Sequence, residues 1–327
     1  MGAGVLTPMK GCLVTVLAAI LSLAACRNFD WPAESVAKSG SVSGSLPDIP
    51  QFVLALSSSA RNELSWQNVA GATGYVIYFS ATAGVTKATA TAISTNSNPY
   101  THTGLTNNAT YYYAIAAANA SGEGALSAEV SSMPSAVRKI FVSSASYSGN
   151  LGGIAGANTN CQNLATAAGL TGRFKAYIST QVTDAACNIL GLTGKKAANC
   201  GLPYAPAYDT LVPVQNTQGQ SIQSSLFNLI NSDGGVVNCG AGNAICTGIG
   251  YNETGASASA TVRSITTTGG VFAPDPAGNT ACADLTLGTN DGIGVLYGTS
   301  YDINNWWYSA GWSDNCASAM RIYCLQQ

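Results

Sequence analysis

The sequence predicts a multidomain chain: an all-β sandwich followed by a disulfide-rich α+β domain. Three observations carry this. Short runs rich in β-branched and aromatic residues, separated by polar turns, fill residues 48–134. Cysteine is absent from that stretch, while Cys161, Cys187, Cys200, Cys239, Cys246, Cys282, Cys316 and Cys324 crowd the remainder. The remainder also mixes helical and strand periodicities, which the first stretch does not. A hydrophobic share of 46% supports sizeable cores, and a charged share of 9% leaves the surface to Ser, Thr, Asn, Gln and Gly. The net charge of −2 gives no basic footprint, which excludes nucleic acid as a partner.

The order of parts begins with a leader. From Met9, a more natural start than Met1, the chain reads "MKGCLVTVLAAILSLAAC": a lysine, an apolar run and small residues before Cys26. Residues 1–25 are therefore expected to be a signal peptide. The apolar run is too short for a membrane span of about 20 residues. Leu23-Ala24-Ala25-Cys26 resembles the lipobox of bacterial lipoproteins, which implies that Cys26 is acylated and opens the mature chain. Several acyl chains would anchor firmly, at about 0.8 kcal/mol per buried CH₂. Residues 26–47 follow as a Ser/Gly-rich tether with no apolar period.

Strands are expected in "FVLALSS", "ELSWQNV", "GYVIYFSA", "TKATATAIS" and "TYYYAIAAANA". Residues 48–134 resemble a fibronectin type III domain. "ELSWQNVAGATGYVIYF" looks like its B–C hairpin with Trp66 as core tryptophan. Leu105 and Tyr111 stand six apart, as in its tyrosine corner, where the Tyr hydroxyl bonds back to backbone. His102, just before the corner, is read as structural. It is the only histidine in the chain.

Residues 135–138 read as a short joint, and residues 139–327 as the second domain. Helices are expected over 160–168, closed by Gly169, and over 221–231, where Ile222, Leu226, Leu229 and Ile230 share a face. Strands are expected at "KIFVSS", "RFKAYIS", "GVLYG" and "MRIYCL". "GNLGGIAGANTNCQNLA" runs a glycine-rich stretch into the first helix, which invites a phosphate cradle. Gly149, Gly152, Gly153 and Gly156 do not give the G-x-G-x-x-G spacing, and the next strand carries no acid. The glycines are expected instead to turn the backbone before the helix.

That stretch, continued to Ser179, resembles the opening of endostatin, the C-terminal domain of collagens XV and XVIII. Gly156-Ala157-Asn158, Cys161-Gln162, Ala168-Gly169-Leu170, Gly172 and Phe174-Lys175-Ala176-Tyr177-Ile178-Ser179 carry the pattern. "VQNTQGQSIQSSLFNLINSDGG", "PDPAGNTACADLT" and "NCASAMRIYCLQ" resemble later parts, with insertions at Asp184–Pro213 and Val236–Arg263. Lipobox and endostatin-like domain together resemble the leptospiral endostatin-like lipoproteins. The resemblance implies a C-type-lectin-like fold with its ends brought together. It implies Cys161–Cys324 and Cys282–Cys316 bridges, leaving Cys187–Cys200 and Cys239–Cys246 to close locally.

Candidate chemistry is sparse. Zinc is not expected: there is no CxxC pair, and His102 lies outside the cysteine-bearing domain. A calcium site of the lectin kind would fall on Asp275, Asp284 and Asp314. Ala273 and Ser313 replace two ligating side chains there, so no metal and no cofactor are expected. Arg138, Arg173, Arg263 and Arg321 are scattered, unlike a heparin face, and Lys195-Lys196 reads as a solvated loop tip. Trp306, Trp307, Tyr308 and Trp312 form the candidate binding surface, with filling of the core as the competing reading. No catalytic motif is present, so a non-enzyme is expected. The resemblance implies a lipid-anchored outer-membrane protein at the cell surface, an adhesin for host extracellular-matrix or serum proteins. The alternatives are a lectin-like glycan binder and a structural envelope lipoprotein.

Overall fold

Alternation with period two shapes the first half of the chain. The structure is a computed structural model, and it describes residues 44–231, 249–258, 261–263, 285, 295–299, 311–313 and 316–327. The strands there are β1 (Leu54–Ser58), β2 (Arg61–Ser65), β3 (Gly74–Ser80), β4 (Thr91–Thr95), β5 (Tyr100–Thr103), β6 (Tyr111–Asn119), β7 (Gly122–Leu126) and β8 (Val130–Ser132). They form two antiparallel sheets. One has the order β1-β2-β5, the other β4-β3-β6-β7 with β8 also paired to β6. Tyr75 and Ile77 of β3, Tyr113, Ile115 and Ala117 of β6, Leu64 of β2 and Trp66 close the core between the sheets. The intervening Val76, Tyr78 and Ala116 face the other way and form a smaller cluster with Val85, Ala90 and Leu126.

Two details refine the sequence reading. β2 and β3 are not a hairpin: β2 pairs with β1 and β5, whereas β3 pairs with β4 and β6. The link between them crosses from one sheet to the other, which lets Trp66 drop into the core at 2% exposure. The end of the expected tether also packs on the sandwich. Asn119 Nδ2 donates to the Ser45 carbonyl at 3.0 Å, and Pro47 is buried.

The tyrosine corner is present. Leu105 is buried, and the Thr106 N–H donates to the Tyr111 hydroxyl at 3.1 Å. Beside it runs a polar chain. Ser132 Oγ donates to Asn62 Oδ1 at 3.0 Å, and Asn62 Nδ2 donates to Tyr113 Oη at 2.9 Å. Tyr113 Oη lies 3.1 Å from His102 Nδ1. The imidazole also sits edge-on to Phe79, with ring centroids 4.4 Å apart. Its burial holds the His102 pKa below the ordinary value.

The second half is built on its own first and last strands. These are β9 (Arg138–Val142), α1 (Gly153–Ala167), β10 (Phe174–Ala176), α2 (Ala185–Ile189), a 3₁₀ turn (Lys196–Gly201), β11 (Val214–Gln215), β12 (Ser221–Gln223), α3 (Leu226–Asn231), β13 (Thr261–Arg263), β14 (Val295–Thr299), β15 (Gly311–Ser313) and β16 (Arg321–Gln326). Among the described residues they make a mixed sheet, β12-β11-β9-β16-β13-β14-β15, with β10 also paired to β16. β9 and β16 are antiparallel, so residues 140 and 325 are neighbours. Both strands are buried on both faces. Ile140, Val142, Tyr323 and Leu325 join one core; Phe141, Ile322 and Cys324 join the other.

The glycine-rich stretch is the helix itself. α1 starts at Gly153, well before the expected residue 160, with Gly152 as its N-cap in the left-handed region (φ 75°). A Cβ on Gly156 would lie 1.9 Å from the Leu151 carbonyl oxygen, so only glycine lets the helix pass its own entry loop. One face of α1 then docks on β10. Gln162 Oε1 accepts from the Phe174 N–H at 2.8 Å, and Asn158 Oδ1 accepts from the Ala176 N–H at 2.9 Å. These two side chains satisfy backbone donors of a strand that, among the described residues, pairs only with β16. Cys161, on the same face, is disulfide-bonded to Cys324 with Cα atoms 5.4 Å apart.

Other expectations change. The expected helix over 221–231 divides: Ser221–Gln223 is a strand, and only α3 is helical. Ile222, Leu226, Leu229 and Ile230 are all buried in one core nonetheless. Lys195-Lys196 is no solvated tip. Lys195 Nζ reaches the Thr180 carbonyl (2.9 Å) and Asp184 (3.2 Å), and Lys196 Nζ donates to the Ile230 carbonyl at 3.0 Å. The pair ties the inserted segment down, because the ammonium groups find buried carbonyls there. That segment is also held by the Cys187–Cys200 disulfide.

Candidate binding cleft

Residues 44–327 form one compact unit, and its two halves meet over a cleft of about 220 Å³. The sandwich contributes Leu56, Ser57, Thr110, Ser131 and Met133; the second half contributes Arg138, Arg173, Ile189, Leu190 and Leu226. Leu56 packs against the core of the second half, so apolar burial joins them. Polar bonds add to it. Arg138 Nη2 donates to the Ser57 carbonyl at 2.6 Å, and Arg173 Nη2 donates to Ser131 Oγ at 2.5 Å. On another side, Tyr204 Oη donates to the Phe52 carbonyl at 2.7 Å. Residues 135–138, expected as a joint, thus end on a buried strand residue.

Arg138 is 3% exposed. Its Nε lies 3.8 Å from Asp209 Oδ2, close enough for charge attraction and too far for a hydrogen bond. The Asp209 carboxylate is instead held by the N–H groups of Val212 (2.9 Å) and Leu211 (3.3 Å). Burial pushes the guanidinium pKa down and Asp209 pushes it back, so the group stays cationic. Arg138 Nε and the cleft-lining Gln327 Oε1 are both buried without a hydrogen-bond partner, as is Ser58 Oγ in an adjoining pocket of about 80 Å³. Composition gives no signal for this site. The one readable trace is an arginine at the start of a β-rich apolar strand.

A second cleft, of about 480 Å³, lies between Glu63, Gln67, Asn68 and Asn98 of the sandwich and Tyr204 of the insertion. Its walls set the amides of Gln67, Asn68 and Asn98 and the Glu63 carboxylate beside the apolar surfaces of Trp66, Pro99 and Pro203. Asn98 Nδ2 donates to the Trp66 carbonyl (2.8 Å) and to Asn68 Oδ1 (2.9 Å).

The residues singled out from sequence fall elsewhere. Cys26, Cys239, Cys246, Cys282, Asp275, Asp284, Asp314, Trp306, Trp307 and Tyr308 lie outside the described residues. Trp312 stands on β15, opposite Leu296 of β14. Cys316 is buried and disulfide-bonded, while its expected partner Cys282 lies outside the described residues. Among the described residues there is no group of three His, Cys, Asp or Glu side chains placed to hold a metal. Among them, too, no helix is long and apolar enough to cross a membrane.

A three-stranded sheet facing a five-stranded one, with the tryptophan core and tyrosine corner, defines a fibronectin type III domain. No protein-family model matches the chain, and no curated protein matches it. Solved structures similar to part of it are fibronectin type III domains. FN3tt is 27% identical over 28% of this chain and 98% of its own, with a TM-score of 0.25. A Fn3-like protein from Clostridium thermocellum is 30% identical over 27% of this chain and 92% of its own, TM-score 0.24. The FN5 domain of Drosophila Lar is 22% identical over 28% and 98%, TM-score 0.23. The assignment rests on this chain's own strand order and core, beside which these likenesses stand.

Proposed function

We propose that the chain is a lipid-anchored, exported binding protein whose fibronectin type III domain carries a C-type-lectin-like, endostatin-like domain. The protein is a non-catalytic module in this reading. Cys26 holds it at the outer membrane, facing outward, and the second domain meets host extracellular-matrix or serum proteins. The observation that carries the proposal is the closure of that domain. Its first and last strands pair, and the Cys161–Cys324 bond ties α1 to the last of them. Such closure on covalent staples suits an oxidising, exported compartment.

The test is a binding screen of the disulfide-intact protein against matrix proteins, complement regulators and glycans, with a reduced and alkylated control. Saturable binding to a matrix or serum protein that reduction abolishes supports the reading. Absence of binding to all of them sinks it. A second reading, glycan binding, has its own support in the cleft where the Asn68 and Asn98 amides stand beside Trp66 and Tyr204. Glycan capture lost on Asn68→Ala would move the function there.

A further inference from the structure

We propose that the cleft lined by Glu63, Asn68 and Tyr204 binds a short neutral oligosaccharide, through side chains and without a metal ion. The proposal rests on the glycan reading above and narrows it to one class of sugar. Side chains must do the binding, because β2, which brings Glu63 and Ser65 to the wall, is paired on both sides, to β1 and to β5. That strand has no free edge on which an extended peptide could lie. Pro99 and Pro203 bring no N–H donor either. The amides are set in place beforehand. Asn98 Nδ2 donates to the Trp66 carbonyl and to Asn68 Oδ1, and Asn98 Oδ1 accepts from the Trp66 N–H at 3.3 Å. With its oxygen engaged, the exposed Asn68 has Nδ2 left to donate, and no described residue accepts from it. The Glu63 carboxylate and the exposed Gln67 amide likewise have no hydrogen-bond partner among the described residues. A hydroxyl both donates and accepts, so neighbouring hydroxyls of a sugar meet a carboxylate acceptor and an amide donor at once.

The carbon face of a sugar ring finds its own partners. Tyr204, Pro99 and Pro203 offer apolar surface from which it can shed water. The Tyr204 hydroxyl donates to the Phe52 carbonyl and accepts from Ser65 Oγ at 3.3 Å, so its ring is held before any ligand arrives. Charge then selects among sugars. Glu63 is the one charged side chain on the described wall, so an acidic sugar would bring a second negative charge with no cation to receive it. Arg61 stands with Glu63 on the wall of the adjoining pocket, so the carboxylate does not need a cationic ligand. Calcium takes about six to eight oxygens. Asn68 Oδ1 and Asn98 Oδ1 already accept protein hydrogen bonds, so Glu63 and Gln67 are the carboxylate and amide side chains with oxygens to spare, short of that number. The volume of about 480 Å³ lies within the roughly 300–1,000 Å³ of sites that enclose small molecules, and it exceeds what a single sugar ring fills.

Titration calorimetry of the disulfide-intact protein in EDTA tests this, with cellotriose and maltotriose as neutral probes. Trigalacturonate is the acidic counterpart and triglucosamine the cationic one. The expected result is saturable binding of a neutral probe, tighter than that of either charged one by about tenfold or more. Asn68→Asp keeps the oxygen that Asn98 bonds and removes the free donor, so it should weaken neutral binding by about tenfold with the melting temperature unchanged. Glu63→Gln should narrow the preference over trigalacturonate by about tenfold, an effect that impaired folding would not produce. Ala205→Trp, at an exposed position on the wall, should abolish saturation. Neutral binding that is unchanged in Asn68→Asp or in Ala205→Trp overturns the proposal. Tighter binding of a charged probe, or binding that requires calcium in place of EDTA, overturns it and leaves the broader glycan reading standing. Failure of every probe, with calcium or without, sinks both.

Discussion

At the residue scale, two side chains show how local chemistry fixes this fold. Gly156 is required by a carbonyl, not by a turn. Gly156→Ala should destabilise the protein by about 2 kcal/mol or more, read as a shift in the urea midpoint. His102 is disfavoured as a cation by its burial, and its Nδ1 lies 3.1 Å from Tyr113 Oη. Its folded pKa lies below the unfolded value of about 6.5. The unfolded chain therefore binds the proton first as pH falls. Stability should be complete above pH ~6.5 and decline below it until the folded pKa is passed. With no other histidine in the chain, His102→Gln should flatten this part of the stability–pH curve. An unchanged curve in the variant would reject the account.

At the element scale, legibility in the sequence follows periodicity and local punctuation. The sandwich strands are β-rich runs set apart by polar turns, and Tyr111 lies six residues after Leu105, so the amino-acid order alone announces the corner. The sequence reading makes α1 too short because Gly153 and Gly156 argue against helix by propensity, whereas the Leu151 carbonyl demands Gly156 and a left-handed backbone (φ 69°) favours Gly153. Ile222 fits a helical face as well as a strand, and only pairing with Val214-Gln215 decides between them. Asn158, Cys161 and Gln162 work as a unit. Cys161 and Gln162 follow Asn158 by three and four residues, so the three side chains share a face that bonds β10 twice and crosses to β16 once. Staple removal tests this level. Cys187→Ser with Cys200→Ser, closing a short loop, should cost about 3 kcal/mol. Cys161→Ser with Cys324→Ser, closing a long one, should cost about 5 kcal/mol. Urea unfolding of the oxidised variants measures both.

At the scale of the whole molecule, the cleft is invisible to sequence reading. Arg138 meets Ser57 across 81 positions and Asp209 across 71, and no motif spans such distances. Arg138→Met leaves Asp209 buried without its counter-charge, which should cost about 3–5 kcal/mol. Calorimetry should show one unfolding transition for the parent protein and two for the variant, as the sandwich and the second half lose their coupling. Adding Asp209→Leu should restore much of the loss, because a matched apolar pair needs no counter-charge. One transition persisting in Arg138→Met would mean that Leu56 and Tyr204 suffice to couple the halves.

The pairing of β9 with β16 has a mechanical consequence. A pull entering at Arg138 and leaving at Gln326 acts on the same end of two neighbouring antiparallel strands, so it opens them like a zip, one rung at a time. Cys324 stands opposite Phe141, one rung beyond the Leu325–Ile140 pair at that end, and there the load passes through its sulfur to α1. While the bridge is intact, covalent slack under that tension is confined to the stretch from Arg138 to Cys161 and the short one from Cys324 to Gln326, and the rest of the domain stays out of the load path. Once reduced, it could be drawn out along its whole length.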